Sequence, residues 1–230
     1  MKRDSRIVSS NQCGLHPKLV DVVERHRRHR SKRPVADHAR QAVKTIKDFT
    51  QNEPFILDSC CGTGQSSHAL AQQFPDHRVI GVDRSLHRLA RAANPPEKRG
   101  PLFLRTNIED LLPLMVSDGL RPATHYLLYP NPWPKAKHLQ RRFHAMPVLR
   151  DLVLLGGRFE VRSNWLLYLE EMQTALSLYG VEADIVPLKG VPDPAYEGIT
   201  AFETKYARSG QPLCRLNAMR KQVLALEPVP

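Results

Sequence analysis

The 230-residue sequence has few cysteines, few aromatic residues (7%) and no long apolar run. Its four cysteines show no Cys-x-x-Cys spacing, so neither a disulfide framework nor a zinc site is expected. The reducing cytoplasm is therefore the predicted compartment. No apolar run reaches about 18 residues, so we expect no membrane span. Residues 1–12 lack the apolar core of a signal peptide, and none is expected.

The sequence does have a globular composition and an excess of positive charge. Apolar residues make up 41% and charged residues 25% of the chain, and the formal charge is +11. Residues 1–34 carry ten lysines and arginines against three acids, and residues 129–144 carry four against none. Such clusters are typical of a surface for a polyanion, although the first alone also fits a solubilising tail. We predict a basic N-terminal arm over residues 1–34 and one catalytic domain over residues 35–230.

Apolar and amphipathic segments alternate along this domain, which predicts an α/β fold with a mainly parallel sheet. Short apolar runs predict strands at residues 55–57, 79–82, 102–104, 125–129, 158–161 and 181–186, with further strands near 200–217. Amphipathic patterns predict helices at residues 15–30, 36–49, 65–73, 85–93, 108–116, 138–154 and 164–178. A proline- and glycine-rich loop is expected over residues 187–199.

The end of the first predicted strand is typical of a nucleotide-type cofactor site. Two glycines in the segment Asp58–Gly64 let the backbone turn sharply and let a ligand approach the peptide plane. Asp83 ends the second strand, where a carboxylate accepts both hydroxyls of a ribose. NAD would favour a third glycine in place of Ser67, whereas the ammonium group of S-adenosylmethionine favours an acid near the loop. We therefore predict an S-adenosylmethionine site formed by Asp58, Cys60, Gly62, Gly64, Asp83 and Asn107.

Two features of this predicted site have a second explanation. Asn107 follows the third strand, where its amide can both donate to and accept from an adenine edge, but it also suits the cap of the next helix. The adjacent Cys60 and Cys61 can be redox-sensitive, or they can be small residues packed in a tight turn. Both pairs of explanations stay open from the sequence.

The fourth predicted strand runs into a rigid basic loop, Pro130–Lys135. Three prolines fix this loop at the carboxyl end of the sheet, where ligands bind in such folds. The amide of Asn131 and the ring of Trp133 suit a purine by edge contact and stacking, although Trp133 alone also suits a core anchor. Phosphate contacts are predicted for the basic side chains Lys135, Lys137, His138, Arg141 and Arg142.

This loop resembles the hallmark segment of the bacterial tRNA (guanine-N7)-methyltransferases. That family has Phe-Pro-Asp-Pro-Trp-Pro-Lys, followed by a histidine and an arginine pair. Tyr129–Lys135, His138 and Arg141-Arg142 match it in order and spacing. Further along the chain, Arg162–Trp165 is similar to the family's Thr-Asp-Trp stretch after the fifth strand, and Thr200–Glu203 to its Thr-Lys-Phe-Glu motif.

The resemblance covers residues 54–217 and implies a Rossmann-like, class I S-adenosylmethionine-dependent methyltransferase. Its sheet would have seven mostly parallel strands flanked by helices. The implied reaction is methyl transfer to N7 of a variable-loop guanine of tRNA (the guanine-46 type), by a cytoplasmic monomer or homodimer without a metal. Asn131 would be the catalytic residue. The implied substrate contacts, beyond the loop and the basic side chains, are Asn164, Thr200, Phe202 and Glu203.

The sequence departs from the family at four positions. Asn131 and Asn164 replace aspartates, Ala201 replaces the motif lysine, and Cys60 replaces the first glycine of the cofactor loop. Guanine N7 carries a lone pair and no proton, so its methylation depends on placement rather than on a general base. We expect a working but altered methyltransferase, in which Glu203 supplies the missing carboxylate.

Two other functions stay open from the sequence. Asn-Pro-Pro-aromatic motifs occupy this strand end in methyltransferases of exocyclic amines, and Asn131–Trp133 is one proline short of that pattern. This alternative predicts N-methylation of adenine, cytosine or guanine N2. The other alternative is a non-catalytic protein that binds S-adenosylmethionine and RNA, in which the two lost acids reflect lost catalysis.

Overall fold

A seven-stranded mixed β-sheet lies at the centre of the molecule. The structure is a computed structural model, and it describes residues 5–29, 34–92, 100–193 and 195–220. The strands are β1 (Phe55–Ser59), β2 (Arg78–Asp83), β3 (Leu102–Arg105), β4 (Thr124–Leu128), β5 (Gly157–Ser163), β6 (Ala183–Pro187) and β7 (Cys214–Arg220). The helices in these ranges are α1 (Leu19–Arg28), α2 (Asp37–Thr50), α3 (Gln65–Gln73), α4 (Leu86–Leu89), α5 (Ile108–Ser117), α6 (Leu149–Leu155), α7 (Leu166–Ser177) and α8 (Ala201–Arg208).

The strand order is β3-β2-β1-β4-β5-β7-β6, and β7 runs antiparallel to both of its neighbours. The other neighbouring pairs are parallel, which confirms the predicted mainly parallel α/β sheet. The order reverses direction between β1 and β4. The loops that follow these two strands therefore diverge and leave a crevice at their carboxyl ends.

Side chains of β1 alternate between the two faces of the sheet, as the two-residue period of a strand requires. Phe55 and Leu57 are buried in the larger hydrophobic core, which also contains residues of α1, α2, α5, α6 and α7. Ile56 lies in a smaller cluster with Leu70 of α3. All of β1 is buried, as expected for a parallel strand with covered faces.

Helix α1 is part of the larger core. Leu19, Val22 and Val23 are at most 5% exposed, and the helix contacts α7. Their spacing gives α1 one apolar face, while its basic residues are concentrated in its last turn. The predicted basic arm therefore contains a helix that packs with the domain, and its residues 1–4 and 30–33 lie outside the described residues.

The segment after residue 200 differs from the prediction. Residues 201–208 form helix α8 instead of a strand, and Thr200 caps it, because its hydroxyl accepts a hydrogen bond from Glu203 N at 2.9 Å. This is the side-chain cap that begins many helices, and it satisfies one backbone donor of the first turn. The last strand, β7, starts only at Cys214.

The helix predicted over residues 138–154 is also interrupted. Two short 3-10 segments, Ala136–Arg141 and Phe143–Ala145, replace its first part, and α6 begins only at Leu149. Pro147 disfavours a continuous helix, since it lacks a backbone donor and restricts the residue before it. Residue 93, predicted as a helix end, lies outside the described residues. None of the described helices has the length and hydropathy of a membrane span.

Replacing Leu19 by alanine tests whether α1 belongs to the core. Leu19 is 1% exposed, so truncation leaves a cavity, and we expect the free energy of unfolding to fall by about 2–5 kcal/mol. Val20, on the same helix, is 46% exposed. We expect Val20→Ala to change the free energy of unfolding by less than about 0.5 kcal/mol. Denaturant unfolding measures both. Equally small effects would show that α1 does not pack into the core.

Candidate functional site

A cavity of about 500 Å³ opens at the carboxyl ends of β1 and β4. Its walls come from the loop after β1, the start of α5, the loop after β4 and the start of α8. It brings together nine residues predicted for cofactor or substrate: Asp58, Cys60, Gly62, Asn107, Asn131, Trp133, Arg141, Thr200 and Phe202. The crevice expected from the strand order is thus where the two predicted half-sites meet.

Asp58 carries a carboxylate oxygen that lacks a partner. The side chain is fully buried, and its Oδ2 accepts hydrogen bonds from the hydroxyls of Ser66 and Ser67 at 2.6 and 2.7 Å. Its Oδ1 is buried and has no hydrogen bond within the described part of the chain. Burial, although opposed by the two serine bonds, raises the pKa of Asp58 to about 6. The arrangement is suited to a cationic group of a ligand, such as the ammonium group of S-adenosylmethionine.

Asp83 is fixed beside the glycine loop. Its Oδ2 accepts from Gly62 N at 3.0 Å, and its Oδ1 accepts from Ser85 N at 2.8 Å. The Arg88 guanidinium also pairs with Oδ1, at 2.9 Å, and Arg88 lines the cavity. Asp83 is therefore fixed behind the glycine loop and is not among the residues that line the cavity, where Arg88 covers one of its carboxylate oxygens.

The loop after β1 turns through left-handed backbone conformations, with φ of +62° at Cys60 and +79° at Gly64. A Cβ at Gly64 would lie 2.7 Å from both Ala92 Cβ and the Phe103 ring, so a side chain does not fit there. At Cys60 the conformation costs a residue with a side chain about 1–2 kcal/mol, which explains a glycine in the related loop. The Cys60 side chain is exposed at the cavity wall, and crowding by the surrounding protein together with the carboxylates of Asp83 and Asp58 raises the pKa of its thiol, so the thiol is protonated at neutral pH.

Asn107 caps a helix and also faces the cavity. Its Oδ1 accepts from Glu109 N at 3.2 Å and begins α5. Because the cap uses the carbonyl oxygen, the amide NH₂ group is left for a ligand. The helix cap is therefore present, and it is compatible with a contact to an adenine edge.

Asn131 and Trp133 form the wall that follows β4. Asn131 Oδ1 accepts from Trp133 N at 3.3 Å, which closes a local turn. Trp133 has φ +46°, a left-handed conformation that is rare for a bulky residue. The Arg141 guanidinium lies 4.8 Å from its ring centre, and the His138 ring meets it edge-on at 5.5 Å. Since Trp133 is half-buried in the cavity wall, it is not a core anchor.

The basic side chains after this loop have two different environments. Three of them are exposed: Lys135, Lys137 and Arg141. The prediction that Arg142 binds phosphate is wrong, because its guanidinium is fully buried and paired with the carboxylate of Glu171. Its Nε also donates to the backbone oxygen of Trp133 at 3.2 Å. Arg142 therefore connects the backbone of this loop to the buried Glu171.

The Thr200–Glu203 motif contributes Thr200 and Phe202 to the cavity, but not Glu203. Glu203 is 1% exposed, and both of its carboxylate oxygens accept from Arg162 at 3.0 Å. The Tyr196 hydroxyl donates to the same carboxylate at 2.9 Å. The prediction that Glu203 supplies the missing carboxylate is therefore wrong, because α8 turns this side chain inward to Arg162.

Asn164 lies at the end of β5 and is not part of the cavity wall. Its Nδ2 donates to Gln211 Oε1 at 2.8 Å, and Gln211 Nε2 donates to the backbone oxygens of Ser5 and Arg6. Asn164 thus connects β5, through Gln211, to the N-terminal segment. The structure does not bring it to the other predicted substrate contacts.

The residues that hydrogen-bond to Asp58 and Arg142 were not identified from the sequence. Ser66 and Ser67 lie on a correctly predicted helix, but nothing in the sequence indicated that they donate to Asp58. Glu171 did give a signal, because it lies on the core face of α7, one turn from the fully buried Tyr168. An acid at such a position requires a buried cationic or hydrogen-bonding partner.

The sheet order and the cavity together define the class I methyltransferase fold. The structure is similar to the 16S rRNA methyltransferase KamB, with a TM-score of 0.52 and 21% identity over 82% of this chain and 96% of that one. The antibiotic-resistance methyltransferase Kmr gives a TM-score of 0.51 and 20% identity over 76% and 90%. These similarities confirm the predicted fold.

Residues 52–216 match the family described as "Putative methyltransferase", and the chain belongs to this family. It is 29% identical over 182 residues to the tRNA (guanine-N(7)-)-methyltransferase of Cronobacter sakazakii, covering 76% of this chain and 75% of that protein. It is 26% identical over 181 residues to the protein of the same name from Aeromonas hydrophila, covering 76% of each. The resemblance stated from the motifs is thereby confirmed.

The raised pKa of Asp58 predicts that cofactor affinity depends on pH. Only the ionised carboxylate attracts a cation, and at pH 5 about a tenth of the sites are ionised, so the Kd of S-adenosylhomocysteine should be about tenfold higher than at pH 8. Asp58→Asn should weaken binding at pH 8 and remove this pH dependence. Calorimetry measures both, with the exposed Asp76→Asn as a control. A wild-type Kd that is constant from pH 8 to pH 5 would contradict the assignment.

Proposed function

We propose that the protein transfers a methyl group from S-adenosylmethionine to N7 of a guanine in tRNA, of the variable-loop guanine-46 type, in the cytoplasm. The observation that carries the proposal is one cavity that joins the unpartnered Asp58 oxygen to the Asn131–Trp133 loop. Membership of the methyltransferase family and the tRNA (guanine-N(7)-)-methyltransferase relatives support the same reaction.

The residues of the cavity fit S-adenosylmethionine. Asp58 Oδ1 would accept from its ammonium group, and Asp83 would accept from the ribose hydroxyls if they replaced its contact with Arg88. The Asn107 amide is left to contact the adenine edge. When bound, the cofactor supplies a methyl group on a positively charged sulfur. These side chains would hold the cofactor at the carboxyl ends of the first strands.

Asn131 and Trp133 place the target base. The Trp133 ring in the cavity wall offers a stacking surface, a contact worth about 1–3 kcal/mol per base. Guanine N7 needs no general base, so the contribution of this wall is to align the lone pair with the methyl group. This explains how catalysis can continue without the aspartate that the related loop carries.

The turn at Asn131 is compatible with a guanine edge. Its carbonyl already accepts from Trp133 N, and the amide NH₂ group is left as a donor. A donor matches guanine O6, which lies beside N7, and the second lone pair of the carbonyl can accept from N1–H.

Exposed cations around the cavity suit the RNA backbone. Lys135, Lys137 and Arg141 lie next to the loop that holds the base, and the stretch from 129 to 144 has no acid. Phosphate contacts of this kind position an RNA and release counterions, so tRNA affinity should fall with salt. The proposal applies equally to a monomer and to a homodimer.

Methyl transfer to an unmodified tRNA transcript tests the proposal. With isotopically labelled S-adenosylmethionine, we expect 7-methylguanosine in the digested product, and no label when the variable-loop guanine is replaced by adenine. A methylated exocyclic amine would instead support the amine reaction. Cofactor binding without any methylated nucleoside, in tRNA or in total RNA, would indicate a non-catalytic protein and overturn the proposal.

Asn131→Asp restores the carboxylate of the related loop. It would accept charge-assisted hydrogen bonds from guanine and stabilise the positive charge of the methylated base by about 1–2 kcal/mol, so kcat/KM should rise about 5- to 30-fold. Gln140→Glu, which adds a carboxylate elsewhere in the cavity wall, is the matched control. A rise of the same size in both variants would mean that charge, and not the position of residue 131, is responsible.

A further inference from the structure

The backbone at Trp133 requires support from outside its own loop. A bulky residue at φ +46° is stable only where surrounding contacts hold it. Three hydrogen bonds from outside the loop restrain the segment. Arg142 Nε donates to Trp133 O at 3.2 Å, Ser10 Oγ donates to Pro134 O at 2.6 Å, and Ala136 N donates to Asn11 Oδ1 at 3.0 Å.

Arg142 can hold this carbonyl only because its charge is compensated. The side chain is fully buried, and its Nη1 donates to Glu171 Oε2, also fully buried. The face of the Trp165 ring lies 5.0 Å from the guanidinium carbon. A buried arginine without a carboxylate partner would be strongly destabilised, so Glu171 determines where the Arg142 fork lies.

Glu171 is the point at which three distant segments meet. Its Oε2 also accepts from His144 Nε2 at 2.9 Å, and its Oε1 accepts from Gln12 Nε2 at 2.6 Å and from His16 N at 3.0 Å. Gln12 closes the network, because its Oε1 accepts from Arg142 at 3.0 Å. Although burial alone would raise it, these hydrogen bonds lower the pKa of Glu171 to about 2, so the carboxylate stays ionised.

We propose that Glu171, Arg142 and Gln12 are positioning residues for methyl transfer, which hold the Trp133 backbone so that its ring faces the target base. The N-terminal segment from Ser10 to Gln12 is on this account a structural part of the base-binding wall. The inference rests on the proposed function for its kinetic readout, but the position of Trp133 can be measured without RNA.

Two substitutions test the hydrogen-bond network of Glu171, Arg142 and Gln12, and they should have effects of different size. Arg142→Lys keeps the charge for Glu171 but loses the fork that reaches Trp133 O, and we expect kcat for tRNA to fall about 10- to 100-fold. Gln12→Ala removes the half-buried bridge and should lower kcat less, without unfolding the protein. The affinity for S-adenosylhomocysteine should stay within about twofold in both, because Asp58 is untouched.

The matched controls make the same two types of substitution at positions away from the Asn131–Trp133 loop. Arg158→Lys alters an exposed arginine that pairs with Glu160 at the start of β5, and Gln72→Ala truncates an exposed glutamine of α3. Neither should change kcat. Loss of thermal stability without loss of kcat in Arg142→Lys or Gln12→Ala would show that the network is only structural, and would overturn the proposal.

Fluorescence gives a readout that is independent of methyl transfer. The sequence has two tryptophans, so Trp165→Phe leaves Trp133 as the reporter and keeps an aromatic ring beneath Arg142. In this background, Gln12→Ala should make Trp133 more accessible to acrylamide, whereas Gln72→Ala should not. Unchanged accessibility would overturn the proposal even if 7-methylguanosine is formed. If no tRNA is methylated but the accessibility changes as expected, only the proposed function fails.

Discussion

The buried ion pair between Arg142 and Glu171 is the interaction on which the Asn131–Trp133 loop depends. Both side chains are excluded from solvent, so each charge is stable only because the other is present. Removing one partner of such a pair costs about 3–5 kcal/mol, since the remaining charge stays buried without compensation. The pair joins α7, the segment after β4 and the N-terminal residues near Gln12, which are distant in sequence.

The cofactor side is built differently, from contacts within consecutive strand–helix units. Asp58 is the second-last residue of β1, and the serines that hold it lie at the start of the next helix. Asp83 ends β2 and reaches back to Gly62 in the loop after β1. One side of the cavity is therefore local in the chain, while the other is assembled through long-range polar contacts. The reversal of strand order between β1 and β4 brings these two sides of the cavity together.

This difference explains how much could be predicted from the sequence. The strands, most helices and the cofactor loop follow from hydrophobic periodicity, glycines and acids at strand ends, which are local properties. The roles of Arg142 and Glu203 could not be predicted, because each depends on a partner far along the chain, Glu171 or Arg162. The strands predicted near residues 200–217 were right only in their second part, because residues 201–208 form a helix capped by Thr200 and the strand begins at Cys214.

On the proposed function, one cavity places a methyl donor and a guanine against each other without a carboxylate beside the base. A crystal structure of the protein with S-adenosylhomocysteine and guanosine monophosphate tests this most directly. We predict the amino group of the cofactor product within about 3.2 Å of Asp58 Oδ1, and the guanine against the Trp133 ring with N7 directed at the sulfur. A base bound away from Trp133, or an amino group that does not contact Asp58, would contradict the account.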